Sequence, residues 1–289
     1  MELNFFVSVG IALVAIILSP LAGGFVTGVD RRLTAWLQSR YGPPLLQPFY
    51  DVLKLFGKAP MIVNSWQVLC AYIYVVSAVV ALFIFFMQGD LLLIFFVVTV
   101  GAVAQVVGAM TVKSPYGQVG AQRELLQMLA YEPLLVVVFV GMAKAAGSFN
   151  ISEIVKVEEP LLYSLPLLFL VMIIVMLIKL RKSPFDISSS AHAHQEIVSG
   201  IRTDYSGPQL ALLEIGHWLE VVLLLGITAL FWTSQTSTII GVSLLLIETY
   251  FVEVLIDNVC ARMTWKWMLR TSLYMGMVLA LVNIFWLYY

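Results

Sequence analysis

The chain has 289 residues, 61% of them hydrophobic and only 11% charged, with a mean hydropathy of +0.96. A water-soluble domain of this length has no interior able to hold that much apolar surface, whereas a bilayer accepts it as helices that satisfy their own backbone hydrogen bonds. A net charge of −1 supplies no basic field for nucleic acid, and two cysteines far apart, Cys70 and Cys260, supply neither a disulfide framework nor the four thiolates of an iron–sulfur cluster.

Apolar runs of about 20 residues are the signature of a span. They predict eight, near 4–28, 67–87, 91–111, 129–147, 161–180, 209–231, 238–257 and 269–288. The expected fold class is therefore an all-α integral membrane protein, a single membrane domain over 1–289. The first run has no basic residue before it and reads as a retained helix, not a cleaved signal. The fourth is weakened by Glu132 and Pro133, and the seventh carries Glu248, Glu253 and Asp257. No internal repeat or low-complexity stretch is visible.

All the lysines and arginines except Lys144 and Lys156 fall on the odd-numbered connections or the span ends beside them. The positive-inside rule assigns those connections to the cytoplasm and both termini to the outside of a prokaryotic cell membrane. Two connections are long. Residues 30–60 are broken by Gly42-Pro43-Pro44, after which Leu45, Leu46, Phe49, Leu53 and Phe56 fall near one helical face, predicting an amphipathic helix for the membrane surface or a partner. Residues 179–209 contain Pro184, which turns Ser183 away from helix, and Ser206-Gly207-Pro208, which marks a turn. His192 and His194 between them read as exposed loop histidines, since no cysteine or tight carboxylate set accompanies them.

Ionisable side chains inside spans are costly and are candidates for function. Glu132 opens the expected fourth span at a Glu-Pro step, where a proton path and an acidic residue favoured by the helix dipole are both open readings. Glu214, His217 and Glu220 share one side of span six. They suit a proton relay or plain interhelical hydrogen bonding, and a Glu-x-x-His metal site would need carboxylates from other helices. Glu253 and Asp257 are four apart, and Asp257 has Arg262 close by as an ion-pair partner. Glu248 lies near mid-membrane and is open to a neighbouring subunit. Lys179 has Asp186, Glu214 and Glu132 as possible partners. The aromatic residues Trp265, Trp267, Tyr274, Trp286, Tyr288 and Tyr289 read as interfacial anchors.

The loop motifs carry a resemblance. Arg31-Arg32, Arg40-x-Gly42-Pro43, Gln47-Pro48, Asp51, Lys54-Leu55 and Lys58 resemble the first cytoplasmic loop of subunit 1 of respiratory complex I and its bacterial counterparts. Ser114-x-Tyr116, Gly120-Ala121-x-Arg123 and Tyr131-Glu132 look like the second such loop, and Pro184-Phe185-Asp186 with Tyr205-Ser206-Gly207 like the third. The match runs through the whole chain in span count and loop order.

There are departures from the quinone-reducing members. Those members carry an additional Gly-rich stretch before Gln-Pro, whereas here Gly42-Pro43 reaches Gln47-Pro48 across three residues. The glutamate-rich segment after Pro-Phe-Asp is replaced by Ser188 to His192, an acidic position at the end of span five is Lys179, and the Glu before Arg-Arg is Asp30. These changes look like the membrane anchors of energy-converting NiFe hydrogenases, such as the Ech-type, formate hydrogenlyase, CO-induced and archaeal membrane-bound enzymes.

The resemblance implies a non-catalytic subunit of an oxidoreductase complex, with no catalytic or metal-binding residue and no redox cofactor of its own. The NiFe centre and iron–sulfur clusters would sit in the hydrogenase large and small subunits and a ferredoxin-like iron–sulfur subunit, with an antiporter-like subunit beside it in the lipid. Docking is expected on the 30–60 and 179–209 loops, at Arg31, Arg32, Arg40, Gln47, Asp51, Lys54, Asp186, Asp204 and Tyr205. A proton or ion path is expected through Glu132, Lys179, Glu214, His217, Glu220, Glu248 and Glu253. The rival expectations are the quinone-binding subunit of a complex I-type NADH-quinone oxidoreductase and a stand-alone secondary transporter.

Overall fold

A computed structural model describes residues 5–188 and 199–287. His192 and His194 lie outside the described residues, as do Tyr288 and Tyr289. The described residues form twelve α-helices: α1 (Phe5–Leu37), α2 (Gln47–Phe56), α3 (Ser65–Phe86), α4 (Leu91–Met110), α5 (Pro115–Ala146), α6 (Ile151–Ile154), α7 (Leu161–Ser164), α8 (Pro166–Lys179), α9 (Gly207–Ala229), α10 (Ile239–Val259), α11 (Trp265–Arg270) and α12 (Met277–Trp286). A π-helical stretch, Thr271–Gly276, joins α11 and α12 into one 22-residue apolar segment. Among the described residues, seven helical segments are long and apolar enough to cross a membrane, and α8, at 14 residues, is a shorter apolar helix.

Eight apolar segments thus match the eight expected spans, but the fifth, expected over 161–180, is split at Leu165 into α7 and α8, and two other boundaries move. α1 runs to Leu37, past the expected end near 28 and through Asp30, Arg31 and Arg32. No Gly or Pro interrupts residues 29–41, so nothing stops the helix as it leaves the hydrocarbon. At 33 residues it is about 50 Å long, against a hydrocarbon thickness of about 30 Å. α5 likewise begins at Pro115, not near 129. Proline suits the first turn, where its missing N–H has no partner to lose. Glu132 therefore sits in the middle of a 32-residue helix, and the helix-dipole explanation for it falls away.

The described residues form two compact units, one falling within 1–87, 93–124 and 188–223, the other within 88–92, 125–187 and 224–289. In the first unit, small residues let large rings close in on the helices. A Cβ on Gly216 of α9 would meet the Tyr74 ring at 2.4 Å, and one on Gly108 of α4 would meet the Tyr205 hydroxyl at 2.2 Å. Asn64 caps α3 by accepting the N–H of Trp66. α2 packs Val52, Phe49 and Leu55 against Trp218, Ala211 and Ile215 of α9. The apolar face expected for α2 is only partly the buried one, because Leu46, Leu53 and Phe56 stay exposed.

In the second unit, Asn283 of α12 is fully buried and caps α8. Its Oδ1 accepts the N–H groups of Leu167 and Leu168, each at 2.9 Å, and its Nδ2 donates to Ser164 O at 3.0 Å. A short helix inside a membrane has no water for its first N–H groups, so one amide side chain supplies three bonds. Asn283→Leu is expected to destabilise the folded chain by about 2–4 kcal/mol, from orphaned buried donors and a lost cap. Thermal unfolding in a mild detergent checks this.

Candidate functional site

The first unit gathers one set of titratable groups along α9. Glu214 lies in its second turn, His217 three residues on and Glu220 three further, a rise of about 9 Å from first to last. The 3-10 turn Gly200–Arg202 brings Arg202 onto Glu214, with Nη1 donating to Oε1 at 2.7 Å and the side chains 17% and 27% exposed. Glu220 is buried and accepts a bond from the Tyr74 hydroxyl at 2.8 Å. His217 is half-buried between them in sequence. The site thus runs from a charge pair at the start of the helix to a phenol–carboxylate pair near its middle.

Tyr74 was not legible as a site residue. It sits in a uniformly apolar run, and the only hint is Gly216, which leaves room for its ring. Glu124 was missed for another reason. It falls in a stretch expected to be a loop, yet it is a buried residue of α5 and accepts the hydroxyl of Ser188.

Tyr205, expected to dock a partner, is turned into the fold at 6% exposure and packs with Ala71, Tyr74 and Leu213. Burial raises its pKa well above the ordinary 10, with smaller contributions from Cys70 and Asp204. A phenol whose folded pKa is raised contributes stability that is complete below its unfolded value and is lost as pH climbs past it. Between pH 10 and 12 the wild-type chain is therefore expected to lose thermal stability relative to Tyr205→Phe, with a constant difference between them below pH 9. Melting curves of both across that range test the point.

The second unit holds the other set. Tyr131 is buried and Glu132 half-buried on α5, ahead of Pro133. Lys179, the last residue of α8, is also buried, and its Nζ lies 5.1 Å from the Tyr131 ring centroid, a cation–π distance. Lys182 stacks similarly on Tyr250 at 4.2 Å. The Pro184-Phe185-Asp186 segment is pinned from two helices. Gln127 Nε2 donates to Phe185 O at 2.5 Å, and the Ser183 N–H donates to Asp257 Oδ1 at 2.6 Å. The ion pair expected between Asp257 and Arg262 is replaced by this backbone contact. Asp186 is half-buried, and Glu253 is fully buried on α10 with Thr249 one turn before it. Glu248 is on the exposed side of the same helix and is not brought together with Glu253.

Of the expected docking residues, Arg31, Arg32, Arg40 and Lys54 are exposed. Arg31 Nη1 also pairs with Asp51 Oδ2 at 2.9 Å, and Gln47 Nε2 donates to Asp51 Oδ1 at 2.9 Å, so this trio ties α1 to α2. Asp204 is half-buried beside Gly117. Trp36, Tyr41, Met61, Ile62, Val63 and Trp66 are exposed on the same connection and its flanks. Among the described residues no group of three or more His, Cys, Asp or Glu is arranged to hold a metal.

The family model described as NADH dehydrogenase matches residues 9–288. The chain belongs to the NADH dehydrogenase family. Among curated members, the H-type subunit of NADH-quinone oxidoreductase from Bacillus mycoides (strain KBAB4) is 31% identical over 241 residues, covering 75% of this chain and 71% of that protein. The corresponding protein of Bacillus cereus (strain B4264) matches equally. A chain of the membrane-bound sulfane sulfur reductase, an archaeal respiratory membrane complex, matches with a TM-score of 0.86 at 24% identity, over 99% of this chain and 100% of that one. The last likeness concerns the fold. Family membership makes this a multi-pass membrane protein of a family whose curated members are subunits of an oxidoreductase complex.

Proposed function

We propose that the chain is the membrane anchor and ion-translocating subunit of an energy-converting NiFe hydrogenase. In this reading it docks a peripheral arm of NiFe large and small subunits and a ferredoxin-like iron–sulfur subunit, beside an antiporter-like membrane subunit. It couples electron transfer from ferredoxin to protons with movement of H+ or Na+. In this reading the odd-numbered connections face the cytoplasm, the orientation that their lysines and arginines favour.

The observation that carries this reading is the turn between α1 and α2. Gln47 is the first residue of α2, and its N–H donates to Pro44 O at 3.0 Å. A Cβ on Gly28 would meet Leu45 O at 2.0 Å, so the turn is packed directly on α1. The Gly-rich stretch expected in quinone-reducing members has no counterpart in this turn. Arg31, Arg32, Arg40 and Lys54 then present positive charge to an arm, and the groups on α5, α8 and α9 supply protonatable sites within the span region.

A second reading, an anchor for a sulfur-reducing arm, is favoured by the close fold match to the sulfane sulfur reductase chain. Gentle purification of the complex separates the readings. The proposal expects nickel in the preparation, hydrogen evolution from reduced ferredoxin, and insensitivity to quinone-site inhibitors. A nickel-free preparation that reduces polysulfide, or one that reduces quinone, would overturn it.

A further inference from the structure

α10 carries charge on two opposite faces. Thr249, Glu253 and Asp257, each four residues apart, belong to the packed side, where Glu253 and Val254 are fully buried and Asp257 holds the Ser183 N–H. Glu248 belongs to the other side. It is exposed, and no described group bonds to it. It lies within one residue of the middle of α10, with roughly 15 Å of helix to either end, too far for so short a side chain to reach the interface. α10 is also the least buried of the seven long helices.

The residues flanking Glu248 form a seam. Gly241, Leu244, Glu248, Phe251 and Leu255 alternate spacings of three and four, the repeat by which one helix seats against another. Leu244 and Phe251 are exposed, and Gly241 is a small residue that allows close approach. A seam facing only hydrocarbon tails would not carry a carboxylate at its centre, because intramembrane acidic groups are paired or face protein or water.

We propose that this seam seats a transmembrane helix of a different membrane subunit, and that the incoming helix places a lysine, arginine or histidine against Glu248. Charge complementarity chooses this occupant over a second copy of the chain. A two-fold contact through the seam would set Glu248 against Glu248, two like charges away from water. The inference rests on membership of a family of complex subunits and not on the hydrogenase reading.

The test places a photoreactive benzoylphenylalanine at Phe251, and separately at Leu244, in the native complex within its own membrane. Both positions are expected to crosslink to one transmembrane helix of another subunit, with Lys, Arg or His within one turn of the attachment point. Adducts to lipid, to a second copy, or to a helix without a basic residue would overturn the proposal. In the same membranes, Glu248→Lys is expected to lower recovery of the crosslinked subunit with this chain at least tenfold, and exchanging its basic residue for Glu is expected to restore it. Recovery unchanged by Glu248→Lys would overturn the pairing. If Glu248→Lys does not accumulate, the crosslink map alone decides. Nickel content and hydrogen evolution are read separately, so failure here is distinguishable from failure of the hydrogenase reading.

Discussion

Glu220→Gln and Tyr74→Phe are each expected to cut ion movement per turnover by on the order of tenfold or more, while the complex still assembles. The reason is the 2.8 Å bond between the Tyr74 hydroxyl and Glu220, which joins two buried side chains. A hydroxyl bonded to a buried carboxylate can hand a proton along the pair, and His217, a second titratable group, is three residues away on the same helix. Tyr74→Phe also removes a hydrogen bond to a buried carboxyl group and is expected to cost about 1–3 kcal/mol. Gly216→Ala offers a control that leaves both partners in place. Its Cβ would lie 2.4 Å from the Tyr74 ring, so the ring or the helix must shift and the pair is disturbed with both side chains still present. If the pair is only structural, all three variants lower melting temperature and leave ion stoichiometry unchanged. If it relays protons, stoichiometry falls in all three. Ion uptake and electron transfer measured together in sealed vesicles distinguish the outcomes.

Arg202→Leu is expected to destabilise the chain by about 1–3 kcal/mol, between the cost of an exposed pair and that of a fully buried one. The side chains of the pair are 17% and 27% exposed and their contact is 2.7 Å. Loss of the guanidinium leaves Glu214 partly desolvated without its counter-charge. Glu214→Gln in the Arg202→Leu background is expected to recover part of that loss, because the stranded carboxylate is gone. The double-mutant cycle should then show a coupling of about 1 kcal/mol or more. Additive effects would mean the two groups do not act as a pair. In the proposed complex this pair sits on the docking side of α9, so Arg202→Leu is also expected to weaken coupling.

The sequence carried the membrane class, the eight apolar segments and the loop motifs, because these depend on local composition and spacing. It also carried Glu214, His217 and Glu220, since polar residues stand out in an apolar run. Partners were harder to read. Asn283 looks like an isolated polar residue in the last span, and only the structure shows it capping α8 from 115 residues away in sequence. Asp257 has Arg262 five residues off, yet it bonds a backbone N–H from the Pro184 segment. Lys179 had three acidic candidates, and the aromatic face of Tyr131 is a group found against it. The Glu-Pro step at 132–133 suggested a helix start, because proline usually sits near one. In α5 it lies in the interior, where bilayer helices tolerate proline when neighbours satisfy the freed backbone groups. Tyr205 belonged to a loop motif and so read as surface, but its large ring is worth more to the fold buried against Tyr74 and Leu213.

The proposed coupling of hydrogenase turnover to ion movement through acids in the spans is tested most directly in sealed inverted vesicles supplied with reduced ferredoxin, where hydrogen evolution and uptake of H+ or 22Na+ are followed together. Ion uptake in step with hydrogen is predicted for the wild type. Hydrogen evolution with strongly reduced uptake is predicted when Glu132 or Glu214 is replaced by Gln in an intact complex. Uptake per hydrogen unchanged in those variants would contradict the coupling role of these acids.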